Sequence, residues 1–245
     1  MRTLLACLCA LLCLSPTPVF SAVMVAAATN WAAAFARAAG AEHVVVIAPE
    51  NLQHPPDYDP KPTDLLRLKD ARFILLGGFE GFAARLRDAA GSDAQMVEVR
   101  LINDPENIHA EVRRLAELFG SQDRAEVFLR EFDAEYGRLH LELRQYFSGR
   151  GNRAVAHKFM GEWAKFAGLD LLGTYGPGQV QPSDVLRLSK LQPNLVLDNA
   201  HMPSGAPIAE AAGAGRCLLL NFPAPGMDLL GVFRANAATL LAAGR

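Results

Sequence analysis

The chain has 245 residues, 51% of them hydrophobic, with 24 basic against 26 acidic side chains. That is enough apolar material for one large or two small cored domains. The charge balance excludes an extended basic footprint, and with it nucleic acid as a partner.

The first 22 residues have the layout of a secretory signal peptide. Arg2 precedes an apolar run over residues 4–14, and prolines then lead to a small-residue exit at Ser21 or Ala22. The run is too short to span a bilayer. Its removal leaves 23 basic against 26 acidic side chains and takes away Cys7, Cys9 and Cys13. Cys217 is then the remaining thiol, so no internal disulfide is expected even in an oxidising compartment. The expectation is a soluble, exported, mildly acidic protein.

Residues 23–28 read as a buried strand, 30–40 as an Ala-rich helix stopped by Gly40, and 43–48 as a β-branched strand. Pro49 and the four prolines that follow by residue 62 make 49–64 a stiff loop. Thr63 is expected to cap a helix reaching Lys69. A strand over 72–77, a Gly-rich turn, a helix over 82–90 and a strand over 96–102 follow. Asp104, Pro105 and Glu106 open a helix with an acceptor at the cap and proline in the first turn. Its stripe of Ile108, Val112, Leu115 and Phe119 ends at Gly120.

Residues 121–147 then place Val127, Phe128, Phe132, Tyr136, Leu139, Leu143 and Phe147 three or four apart, which predicts one helix of about 40 Å. Beyond it the pattern resumes: strand 153–156, helix 158–167, a Gly/Pro loop, helix 182–191, strand 194–198, helix 208–214, strand 217–221 and helix 232–242. No repeat is evident at the residue level. Strands alternating with helices on both sides of a long helix predict an α/β fold of two Rossmann-like lobes with parallel sheets, joined by a spine. The boundaries expected are 1–22 for the signal peptide, 23–104 for the first lobe, 105–148 for the helical linker and 149–245 for the second lobe. A ligand of such sheets lies beyond the carboxyl ends of the strands.

Five stretches carry a resemblance: HPPDYDPKPTDLLRLKDARFILLGGFEGF from His54, DPENI from Asp104, AVAHKFMGEWAKFAGL from Ala154, QPSDVLRLSKLQPNLVLDNAHM from Gln181 and LLLNFPAPGMDLLGVFRANAATLL from Leu218. In this order and spacing the chain resembles the TroA-like zinc and manganese receptors of bacterial ABC importers, a class of periplasmic binding proteins. The resemblance implies a cation in the cleft, held by three imidazoles and a carboxylate, and delivery to a membrane permease.

Carried over residue by residue, it implies His157 as the second-lobe ligand and His54 as the first, the latter displaced from the position that Pro56 occupies. The family's second histidine falls on Arg100. A guanidinium about 4 Å from a divalent cation would be repelled by roughly 8 kcal/mol at an effective dielectric of 20. His109 is the substitute if its helix tilts inward, and His201, after strand 194–198, is a further candidate ligand. The carboxylate position carries Asn221, with Asp198 and Asp228 as outside candidates. His54, His157, His201 and a water or carboxylate would suit zinc, with manganese or another divalent cation as the alternative.

Two other functions stay open. The lost ligands and Arg100 would fit a receptor for a chelated or anionic compound such as a metallophore, haem or corrinoid. An open zinc position would fit a hydrolase, but there is no nucleophile elbow, no HExxH and no suitably spaced carboxylate pair. Gly77–Gly78 and Gly176–Gly178 lack phosphate-loop spacing and read as turns, and Trp31 and Trp163 read as core.

Overall fold

The computed structural model describes residues 23–52 and 54–243; residues 1–22, expected to be a signal peptide, lie outside them. Two four-stranded sheets, entirely parallel in their pairing, flank one long helix. In the first lobe, β1 (Met24–Ala27), β2 (His43–Val46), β3 (Phe73–Leu76) and β4 (Gln95–Glu98) lie in the order β2-β1-β3-β4. In the second, β5 (Arg153–His157), β6 (Asp170–Tyr175), β7 (Leu195–Asn199) and β8 (Gly215–Leu219) repeat that topology as β6-β5-β7-β8.

The central strands are near-continuous apolar runs because helices cover both faces of each sheet, as parallel sheets require. These helices are α1 (Asn30–Ala38), α2 (Pro62–Leu65) and α3 (Ala83–Ala89) in the first lobe. In the second they are α6 (Gly161–Ala167), α7 (Pro182–Ser189), α8 (Ala206–Ala212) and α9 (Leu229–Ala243).

The lobes also repeat in sequence, contrary to the reading above. Pro62-Thr-Asp-Leu-Leu-Arg-Leu and Pro182-Ser-Asp-Val-Leu-Arg-Leu both open a helix with proline in the first turn. In both, the third helical residue, Asp64 or Asp184, accepts from the backbone N–H of the preceding cap, Lys61 or Gln181. Thr63 is therefore inside the first of these helices, not at its cap. The helix breaks into a 3₁₀ turn at Leu66–Leu68.

The strand β6 was not anticipated. Its sequence, DLLGTY, sits at a sheet edge, is mostly exposed or half-buried, and shifts register against β5 between Ala154 and Val155. Those features erase the buried apolar run by which the inner strands were recognised.

Helix α4 (Pro105–Phe119) starts where expected, with the Asp104 side chain accepting from Asn107 N–H, and ends at Gly120 in the left-handed conformation. The spine α5 (Gln122–Phe147) has 26 residues, a rod of about 39 Å. Ser121 precedes it, but its hydroxyl donates to the Ala39 carbonyl instead of capping the helix. The buried face is Ala125, Leu129, Phe132, Leu139, Leu143 and Phe147, whereas Val127 is exposed.

An aromatic knot ties the spine to the second lobe. Phe132 meets Phe233 edge-on at 5.3 Å between ring centroids, Tyr136 meets Phe166 at 5.0 Å, and Trp163 meets Phe233 at 4.9 Å. One apolar core therefore runs from α1 in the first lobe through the spine to α6 and α9. Smaller cores fill the outer face of each sheet.

Candidate functional site

A cavity of about 590 Å³ lies between the lobes. Every strand contributes to it from the loop that follows its carboxyl end. Thr29 follows β1, His54 follows β2, Phe79 follows β3 and Asn103 follows β4; Phe159 follows β5, Pro177 follows β6, His201 follows β7 and Asn221 follows β8. This is where a doubly wound sheet places a ligand, because strand ends and helix starts leave a crevice there.

Polar contacts hold the loops of the two lobes together around it. Asn103 Nδ2 donates to the Asn221 carbonyl at 2.7 Å, and Asn30 Nδ2 donates to the carbonyls of Pro223 and Ala224 at 3.1 and 3.2 Å.

His54 stands at the start of a 3₁₀ turn, Pro55–Asp57, and its Nδ1 lies 2.6 Å from Asp57 Oδ2. A carboxylate on Nδ1 fixes the proton there and leaves Nε2 as a lone-pair donor, the usual arrangement behind a metal-binding imidazole. His201 comes from the opposite lobe. Its ring stacks on Phe222 at 3.5 Å between centroids and 16° between planes, and its Nε2 is buried without a hydrogen-bond partner. Burial holds this imidazole down to about 4; the Phe222 backbone opposes the shift and His54 adds to it. It is therefore neutral at physiological pH.

Asp198 builds the loop that carries His201. Fully buried, it accepts from the N–H groups of Ser204 (3.2 Å) and Gly205 (2.9 Å), the Tyr175 hydroxyl (3.0 Å) and both Nε (2.9 Å) and Nη2 (2.7 Å) of Arg216. Burial alone would raise its carboxyl; the Gly205 and Arg216 donors outweigh that and hold it below the ordinary carboxylate range. Its role is to shape the loop, since its lone pairs are already engaged.

The other expected ligands are placed differently. His157 ends β5 fully buried, with Nδ1 accepting from Phe159 N–H at 3.2 Å. A neutral ring so bonded carries its proton on Nε2, which has no partner. Gly176, at φ +79°, passes so close that a Cβ there would lie 2.8 Å from His157 Nε2, so the 176–177 turn closes over the imidazole. Burial lowers the His157 pKa, with Asp198 opposing.

His109 is turned away to the spine, its Nε2 2.7 Å from Asp133 Oδ1, and it does not line the cavity. Arg100 is exposed and outside the lining. Asp228 accepts from Gly231 N–H at the start of α9. Asn221 does line the cavity.

A bare zinc ion takes about four donors near 2.0–2.3 Å. Among the described residues, no group of three or more His, Cys, Asp or Glu side chains is placed to hold a metal. The cavity instead gathers two imidazoles, neutral amides, the charged side chains of Asp57, Lys158 and Glu162, and a wall of aromatic rings. Trp31 and Trp163, buried as core residues are, also form part of that wall. The sequence reading missed Asp57, Asn103, Phe79, Phe159 and Phe222; each lies within a few residues of a strand's carboxyl end or in the loop after β2, a positional signal that would have found them.

No family model matches this chain, and no curated protein does. Solved structures match over nearly its whole length at low identity. The solute-binding protein FpvC of Pseudomonas aeruginosa, in complex with Ni2+, superposes with a TM-score of 0.71 at 14% identity, over 90% of this chain and 94% of that one. A Mn-bound periplasmic metal-binding protein of Candidatus Liberibacter asiaticus matches with a TM-score of 0.66 at 13% identity, over 91% and 100%. A crystal structure of ZnuA gives 0.66 at 23% identity, over 92% and 100%. This chain thus has the TroA-like α/β fold of two parallel-sheet lobes and a spine helix, the fold of these solved structures. Among the described residues no helix is long and apolar enough to cross a membrane.

Proposed function

We propose that this chain is an exported solute-binding protein that takes a metal-containing solute into the cleft between its lobes and presents it to the permease of an ABC importer. The observation that supports this is the meeting of His54 and His201, from different lobes, in the lining of one cavity at the carboxyl ends of all eight strands. Asp57 behind His54 orients that ring through its Nδ1, and burial around His201 favours the neutral form of that imidazole.

Imidazole donors favour zinc over manganese, which prefers oxygen. His157 joins them only if the 176–177 turn opens and Phe159 N–H gives up its Nδ1. Binding and release, not catalysis, are the activity; the periplasm is the compartment, and the protein acts as a monomer.

Elemental analysis of the purified protein, with calorimetry on chelator-treated wild type, His54→Ala and His201→Ala, tests this. The expected result is metal in the purified protein and at least tenfold weaker zinc binding in each variant. Absence of metal and of binding heat, or variants equal to wild type, would refute it.

A further inference from the structure

We infer that the solute is a metal already enclosed in an organic chelator that has an aromatic or apolar face and outward oxygen acceptors. This deepens, and rests on, the reading of the cleft as a metal-solute site.

Size is the first argument. A single small ion with its donors needs room on the scale of a water molecule, about 30 Å³ in the liquid. The cavity, at about 590 Å³, has the volume of sites that take small organic molecules.

Donor chemistry is the second. Among the described residues no group of three His, Cys, Asp or Glu side chains is placed to hold a metal: Asp57 is engaged with His54 Nδ1, Glu162 with Lys165, and the position where the resemblance implies a carboxylate is the neutral Asn221. A divalent cation held by two imidazoles would keep open coordination positions. A chelator supplies the missing ligands.

The third argument is what a cation cannot satisfy. Trp31 and Trp163 both line the cavity, and the indole N–H of each is buried without a partner. An indole nitrogen only donates, so its complement is an oxygen acceptor and never a metal ion. A buried donor left unpaired costs about 1–3 kcal/mol, and a chelator presenting carbonyl, phenolate or carboxylate oxygens beside a metal is the class of molecule that offers these indoles an acceptor.

The mouth of the cleft fits as well. Phe79 (50% exposed) and Ile102 (39%) from the first lobe, and Phe159 (45%) from the second, offer apolar surface on both lips. Deeper in, the stacked pair of His201 and Phe222 makes a flat wall against which a ring can lie with its metal near an imidazole.

The test uses the 1:1 zinc complex of 8-hydroxyquinoline-5-sulfonate, which combines an aromatic plane, oxygen acceptors and open metal positions. Metal-free protein is titrated with this complex, with zinc alone and with the chelator alone, following heat and indole fluorescence. The complex is expected to bind at least tenfold more tightly than zinc alone and to form a ternary species by native mass spectrometry, with Phe159→Ala and Phe79→Ala each weakening it about tenfold. Zinc bound as tightly as the complex, with no ternary species, would overturn the inference and leave the metal-receptor reading standing. Failure of zinc and complex alike would overturn both.

Discussion

Replacing Asp198 by Asn keeps the shape of a fully buried side chain and removes its charge, which isolates what that carboxylate does for the loop bearing His201. In the native protein its two oxygens accept from Ser204 N–H, Gly205 N–H, the Tyr175 hydroxyl and the Arg216 fork. An amide has one oxygen, and its NH2 would have to face some of these donors. Removing one member of a buried ion pair costs about 3–5 kcal/mol. Arg216 is 31% exposed and recovers part of its hydration, so a loss near 3 kcal/mol is expected. Urea unfolding measures it as a lower midpoint at unchanged slope. Arg216→Leu added to Asp198→Asn should recover part of the loss, because the stranded guanidinium is then gone. Zinc affinity should fall in the single variant, since Ser204 and Gly205 anchor the far end of the His201 loop. A change under about 0.5 kcal/mol, or a double variant no better than the single one, would refute the view that Asp198 organises this loop.

Three further outcomes follow from the same structure. Phe132→Ala opens the aromatic knot at a fully buried ring packed on Phe233 and Tyr136, and should cost about 3–5 kcal/mol in unfolding free energy; a loss under 1 kcal/mol would show that the lobes do not share a core. The His201 imidazole is held at about 4 against an unfolded value near 6.5, so the unfolded chain takes up the proton first. Its stability contribution is complete above about pH 6.5 and declines toward pH 4, and wild type should lose about 2 kcal/mol more than His201→Gln over that window, after discounting for partial exposure of the ring. Burial pushes the Cys217 thiol up to about 12, so a disulfide reagent at pH 8 should leave it unmodified in the folded protein and modify it in denaturant.

The architecture was legible because its signals are local. The three-and-four spacing along the spine, the Asp104-Pro105 start and the Gly120 stop each fix an element without knowledge of the partner it packs on. Where legibility failed, tertiary context decides. Val127 fits the stripe yet lies on the exposed flank, while Leu129, outside the spacing, is buried. Edge position and a bulge hid β6, and Ser121 spends its hydroxyl on Ala39 instead of on the helix behind it.

The site was legible in part for the same reason. His201 sits just past a strand end and His54 in the proline loop after β2, which sequence reveals; that His157 Nδ1 is committed to Phe159 N–H, and that His109 turns to Asp133, are facts of side-chain direction which no spacing encodes. The pairing of Asp57 with His54 is local, three residues apart, and was available to a closer reading of the proline loop.

The claim that a metal-containing solute is held by imidazole between the lobes is tested most directly by anomalous diffraction at the zinc edge, from crystals of the zinc-loaded protein. One strong peak is expected in the interlobe cavity within about 2.0–2.3 Å of an imidazole nitrogen of His201 or His54. A peak confined to surface histidines, or none in the cavity at saturating zinc, would contradict it.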